Sequence, residues 1–210
     1  MNLIKKTTLV LGVLAAAGTG LAQTARSSSQ GLLGQRYGEF HYTLSDLDGL
    51  SDHGHATALG VNVPVLPARL DLGAGYAYNW IGGPVRGHGH TLYAGANAYV
   101  ALENVKPFVG VALGHSWVSL PRSLGDNDWA WNLAVGFEVP LGAFTVTPRI
   151  TFADDFHGRV GDSGDTWTYE VEGHYWFAPN TGAFAAIALT DYHRDPDDVW
   201  NYRAGLRFRF

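Results

Sequence analysis

The last twelve residues alternate without a break. Trp200, Tyr202, Ala204, Leu206, Phe208 and Phe210 are apolar or aromatic, and Val199, Asn201, Arg203, Gly205, Arg207 and Arg209 between them are largely polar or cationic. Side chains on a β-strand point alternately to two faces, so this run predicts a strand with one greasy and one charged face. Leu70, Leu72, Ala74, Tyr76, Tyr78 and Trp80 alternate in the same way with Arg69, Asp71, Gly73, Gly75, Ala77 and Asn79. Applied to the whole chain, the test predicts ten strands near 35–45, 55–64, 69–80, 88–100, 106–118, 128–139, 144–153, 166–177, 183–192 and 199–210. No long stretch keeps an apolar helical face, and none reaches the roughly 18 apolar residues of a membrane-spanning helix. If the chain crosses a membrane, it does so as strands.

Composition narrows the classes further. The 210 residues hold 27 aromatics (10 Tyr, 10 Phe and 7 Trp), 27 Gly and no Cys, with only 16% charged residues. This disfavours a disordered chain, excludes a disulfide framework, a cysteine zinc site and a lipid-anchored N-terminal Cys, and leaves a soluble all-β domain, a secreted binding module or a membrane β-barrel. Met1 to Ala22 has basic Lys5 and Lys6, an apolar stretch from Leu9 to Ala17 and small residues at its end, the pattern of a secretory signal peptide cut before Gln23. The expected layout is a signal peptide over 1–22, a polar tail over 23–33 and an outer-membrane β-barrel over 34–210. The connections alternate between long polar ones and mostly shorter ones, the asymmetry of outer loops and periplasmic turns in such a barrel. An even strand number then puts both termini on the periplasmic side.

Two segments resemble the small bacterial outer-membrane β-barrel proteins of the OmpA-like and porin-like superfamily. They are Lys106-Pro107-Phe108-Val109-Gly110-Val111-Ala112-Leu113-Gly114-His115-Ser116-Trp117 and Trp131-Asn132-Leu133-Ala134-Val135-Gly136-Phe137-Glu138-Val139-Pro140-Leu141-Gly142. The terminal Arg207-Phe208-Arg209-Phe210 is similar to the C-terminal signature those proteins present to the barrel-assembly machinery, which implies that Phe210 is an assembly signal. The expected fold is all-β, an antiparallel up-and-down transmembrane barrel of ten strands, with the eight of OmpA-type barrels as the alternative. The expected location is the outer membrane after export, with outer-membrane lipid as the surrounding partner.

Sorting charges by this topology predicts where chemistry can occur. Without Lys5 and Lys6 the chain has 12 basic and 19 acidic residues, a net charge of −7. Thirteen of the 14 Asp fall in the outer loops or their margins (Asp46, Asp48, Asp52, Asp126, Asp128, Asp154, Asp155, Asp162, Asp165, Asp191, Asp195, Asp197, Asp198) beside Arg86, Arg122, Arg159 and Arg194, an outer rim of −9. A charge facing lipid costs about 2 to 4 kcal/mol near the bilayer midplane, so strand charges are expected in the lumen. The expected lumenal network is Arg36, Glu39, His41, Arg69, Asp71, Glu138, Arg149, Glu170, Glu172, Arg203, Arg207 and Arg209. Six Trp (Trp80, Trp117, Trp129, Trp131, Trp167, Trp200) and the aromatics Phe144, Tyr175, Phe177, Phe208 and Phe210 mark the outer and inner aromatic girdles. A conducting lumen with a charged constriction and a solidly packed polar interior both remain open.

Other constellations carry less. His53-x-His55 and His88-x-His90 each place two imidazoles on one strand face, and Gly54-His55 with Gly60-x-Asn62 recurs 35 residues on as Gly89-His90 with Gly95-x-Asn97. Converging pairs suit Zn²⁺, Ni²⁺ or Cu²⁺, but the spacing lacks a defined metal motif, and polar His at a wet interface is the favoured reading. Asp46-x-Asp48-Gly49 with Asp52 starts like a calcium loop and lacks its later Glu. Asp126-x-Asp128 and Asp191-x-His193 loosely imitate an omptin-like protease, and Ser45, Ser116 and Ser119 form no identifiable triad for a lipid-modifying enzyme. No cofactor motif, phosphate loop or nucleic-acid surface is found. The functional expectation is a passive barrel without catalysis, either a channel for small solutes or ions or a structural surface barrel. The alternatives are an omptin-like or lipid-modifying barrel enzyme, or a soluble secreted β-barrel binding protein.

Overall fold

The structure, a computed structural model, describes residues 31–47, 53–81, 87–119, 126–156, 165–192 and 198–210. The expected signal peptide, the first part of the tail and the rim residues Asp48, Asp52, Arg86, Arg122, His157, Arg159, Asp162, His193, Arg194, Asp195 and Asp197 lie outside them. Ten antiparallel strands follow one another as an up-and-down meander. They are β1 (Tyr37–Leu47), β2 (His53–Leu66), β3 (Leu70–Ile81), β4 (Gly87–Tyr99), β5 (Lys106–Ser119), β6 (Asp126–Leu141), β7 (Phe144–Asp155), β8 (Thr166–Ala178), β9 (Thr181–Tyr192) and β10 (Val199–Arg209). Each strand pairs with its sequence neighbours, and β1 pairs with β10 from Tyr37↔Arg209 to Leu47↔Val199, so the barrel closes. Closure satisfies the peptide groups of the first and last strands where no water can. The expected fold is therefore the observed one, with ten strands and not eight.

Alternation assigns the two faces. On β10, Trp200, Tyr202, Leu206 and Phe208 are exposed, whereas Val199, Asn201, Arg203 and Arg207 are buried in the lumen. On β5, Val109, Val111 and Leu113 face out and Lys106, Phe108 and Ser116 face in. Trp117, Trp129, Trp167 and Trp200 ring the outer surface at one end of the barrel, and Phe144, Tyr175, Phe177, Phe208 and Phe210 ring it at the other. Both girdles are present, as lipid on two sides of a hydrocarbon band requires.

Lumenal aromatics lie over glycines on the adjacent strand. Tyr93 is opposite Gly75, Phe108 opposite Gly136, Phe184 opposite Gly205 and Trp176 opposite Gly182. A Cβ at Gly75 would sit 2.3 Å from the Tyr93 hydroxyl and 2.6 Å from the Leu59 carbonyl oxygen. Glycine at these positions makes room for a ring to lie flat on the wall.

The described turns close the periplasmic end. In the β2–β3 turn the Arg69 amide donates to the Leu66 carbonyl at 3.0 Å, and Ala68 adopts φ of 60°. Pro67 fits the second position of such a turn, but the third position favours glycine. Ala68→Gly is expected to raise unfolding stability by roughly 0.5 to 1 kcal/mol, read from urea unfolding in lipid vesicles. On the lipid face, Val111→Arg is expected to lower stability by about 2 to 4 kcal/mol in the same assay. An unchanged midpoint for Val111→Arg would place that residue away from the hydrocarbon.

Candidate functional site

The register of four strands builds a chain of alternating charges inside the lumen. Glu39 on β1 is opposite Arg207 on β10, and Arg149 on β7 is opposite Glu170 on β8. Between β8 and β10 lies β9, where Ala186 is opposite both Glu172 and Arg203. So small a residue lets the long side chains of β8 and β10 meet across it.

The Arg207 Nε donates to Glu39 Oε2 at 2.9 Å, and its Nη1 and Nη2 donate to the two oxygens of Glu172 at 2.6 and 3.1 Å. Arg203 Nη2 reaches Glu172 at 3.0 Å and Glu170 at 2.8 Å, and Arg149 Nη2 reaches the same Glu170 oxygen at 2.5 Å. The order is Glu39, Arg207, Glu172, Arg203, Glu170, Arg149, three acids and three bases with no net charge. All six are buried, Arg207 to 2% exposure. The Arg207 guanidinium also lies 4.0 Å above the Phe184 ring, and His41 Nδ1 stands 3.5 Å from Glu39 Oε1. Charges desolvated to this degree are sustained only by partners, and losing one partner of a buried pair typically costs about 3 to 5 kcal/mol.

A second cluster lies at the periplasmic mouth. Lys106 Nζ donates to Glu138 Oε1 at 2.8 Å. The other oxygen of Glu138 accepts the backbone amides of Leu32 and Leu33 at 2.6 and 3.0 Å, and Asp71 Oδ2 accepts the Gly34 amide at 3.0 Å and Asn62 Nδ2 at 3.2 Å. The segment before β1 therefore enters the lumen. Leu33 is fully buried against Tyr99 and Phe108.

The structure assembles the expected lumenal residues Glu39, His41, Asp71, Glu138, Arg149, Glu170, Glu172, Arg203 and Arg207 in these two clusters. It does not bring Arg36 and Arg69 there. Both are exposed: Arg36, just ahead of β1, has the outward parity of Phe40 and Tyr42, and Arg69 lies in the β2–β3 turn, where strand parity no longer dictates direction. Arg209 sits at the rim, its guanidinium 3.5 Å above the Trp176 ring and donating to the Pro179 and Gly31 carbonyls. Lys106 was not among the expected charges, although its parity with Phe108 and Gly110 points it inward.

The paired histidines do not converge. His53, His55, His88 and His90 have the outward parity of Leu59 and Leu92, and the rings of Trp80 and Tyr78 stand between the pairs. His55 Nδ1 and His90 Nδ1 are hydrogen-bonded to the Tyr42 and Tyr76 hydroxyls, each at 2.6 Å. Among the described residues no group of three or more His, Asp or Glu is placed to hold a metal ion. Asp128 is opposite lumenal Ser116, and exposed Asp191 is opposite outward Trp167, so these two candidate carboxylates lie on different faces of the wall.

Above the charged layer, toward the outer end, the lumen is lined by hydroxyls and amides. Ser45 Oγ donates to Asn201 Oδ1 at 2.6 Å, Asn201 Nδ2 to Thr190 Oγ1 at 3.1 Å, and Thr168 pairs with Thr190 at 3.1 Å. Across the barrel Thr91 pairs with Ser116 at 3.0 Å.

This architecture agrees with the comparisons. The translocator domain of the autotransporter NalP from Neisseria meningitidis superposes with a TM-score of 0.51 at 7% identity, covering 99% of this chain and 96% of that one. The beta domain of the Bordetella autotransporter Brka gives a TM-score of 0.50 at 9% identity over 84% of this chain and 99% of its own. Both likenesses concern the fold. No curated protein sequence matches this one. The family model described as Gram-negative porin matches residues 5–195, the full run from ahead of the barrel through β9. The chain belongs to the Gram-negative porin family, as an outer-membrane β-barrel of ten strands.

Proposed function

We propose that the protein is a passive, narrow conduit for small ions, without catalysis, in which the alternating chain from Glu39 to Arg149 is the constriction. The observation that carries this reading is the number of buried polar groups in the lumen that lack a protein partner. Buried Thr43 Oγ1, both amide atoms of Asn79, the Tyr93 hydroxyl, Arg203 Nε and Nη1, and both ring nitrogens of His174 have no protein hydrogen-bond partner. Buried polar groups in such numbers call for water as a partner, and a lumen that takes up water offers small ions a path. Family membership supports the same reading.

Because the constriction is neutral, it discriminates weakly between cations and anions. Removing Arg207 leaves Glu39 and Glu172 in excess, and removing the Glu39 charge leaves Arg207 in excess. In planar bilayers under a KCl gradient, Arg207→Ala is expected to shift the reversal potential toward cation preference and Glu39→Gln toward anion preference. Unchanged reversal potentials would remove the network from the permeation path.

The second reading, a structural surface barrel, is favoured by the side chains and backbone that fill the periplasmic half of the lumen. Absence of current from the wild type and from Arg207→Ala alike would support it.

Assembly adds a separate proposal. Phe210 is 72% exposed beyond the end of β10, available to the barrel-assembly machinery as a recognition residue. Its deletion is expected to reduce insertion in cells several-fold while leaving the stability of the refolded barrel unchanged, and normal insertion without it would overturn the assignment.

A further inference from the structure

We propose that residues 31–34 are a displaceable plug, latched by Glu138 and Asp71, that blocks the periplasmic mouth of the lumen, an inference that rests on the channel reading. The segment lies outside the ten strands and is held by side chains from three of them. The Gly31 carbonyl accepts from Arg209 on β10, Leu32 and Leu33 donate to Glu138 on β6, and Gly34 donates to Asp71 on β3.

Its local shape follows from the sequence Leu32-Leu33-Gly34-Gln35. The Gln35 amide donates to the Leu32 carbonyl at 3.3 Å, and Gly34 at the third turn position has φ of 89°, a value that glycine takes freely and β-branched residues do not. The turn aims three successive amides at carboxylates. Asn62 Nδ2 adds a bond to the Gln35 carbonyl at 3.1 Å, and Leu33 fills the apolar gap between Tyr99 and Phe108.

Two features make the plug releasable. Its polar anchors are backbone amides on two carboxylates, which water can replace. Glu138 keeps Lys106 and Asp71 keeps Asn62 when the segment leaves, so displacement leaves neither carboxylate without a hydrogen-bond donor.

The chain has no cysteine, so Leu33→Cys supplies a single thiol for the test. In reconstituted protein, its labelling by a water-soluble maleimide is expected to be at least tenfold slower than that of Leu102→Cys in the exposed β4–β5 connection. Two independent changes should accelerate it at least tenfold and raise open probability. One is Glu138→Gln with Asp71→Asn, which weakens the latch, and the other is Gly34→Val, which breaks the turn and leaves both carboxylates intact. A disulfide between Leu33→Cys and Phe108→Cys should hold the current at its lowest level until a reductant is added, which keeps the test decisive if a release variant fails to fold.

Fast labelling of Leu33→Cys in the otherwise native barrel, or release without any change of current in a conducting protein, overturns the plug. Accelerated labelling with no current from any variant overturns the channel reading and the blocking role with it, while showing that the latch is real.

Discussion

The pairing of β1 with β10 is the constraint on which the rest depends. In hydrocarbon an unpaired strand edge has no solvent to bond to, so the first and last strands must meet. Their register puts Glu39 against Arg207, and from that contact the chain of charges runs on to Glu172, Arg203, Glu170 and Arg149. Closure therefore supplies the network's first contact, Glu39 with Arg207. Without the closed wall, Glu39 would lose Arg207, and the charges that β7, β8 and β10 share would lose the enclosure that keeps them buried.

The lumen is filled by complementary choices on neighbouring strands. Where one strand contributes a ring, its partner contributes glycine, as with Phe184 over Gly205 and Tyr93 beside Gly75. Where two strands must touch across a third, the intervening strand is small, as Ala186 shows between Glu172 and Arg203. The periplasmic half thus carries most of the charges, aromatic rings and residues 31–34, while Ser45, Thr91, Ser116, Thr168, Thr190 and Asn201 line the outer half. This polarity along the axis is what makes a conduit with a single constriction the reading best matched to the family.

Strand positions were legible because alternation is enforced at every residue by the contrast between lipid and lumen. The predicted run at 199–210 and the observed β10 differ by one terminal residue. Parity also sorted Glu39, Glu172, Arg203 and Arg207 onto the inner face. It failed at Arg69, which lies in a turn where the backbone no longer alternates, whereas Arg36 has the outward parity of Phe40 and Tyr42 and is exposed as that parity requires. The inward parity of Lys106 and the outward parity of His55 and His90 were present in the sequence and would have identified both. The entry of Leu32 and Leu33 into the lumen was hidden by the polar run before them, and the meeting of β8 with β10 across Ala186 depends on register, which alternation alone does not specify.

The most direct test of the account is cross-linking of the first strand to the last. Leu44 on β1 is opposite Tyr202 on β10, both on the outer face and away from the charged network. In a chain without native cysteine, Leu44→Cys paired with Tyr202→Cys is predicted to form an intramolecular disulfide in the folded barrel, seen as a reductant-sensitive shift in gel mobility. Leu44→Cys paired with Leu206→Cys, four residues out of register on the same face, is predicted not to form one. Efficient cross-linking of the second pair and not the first would contradict the closure on which the charge network rests.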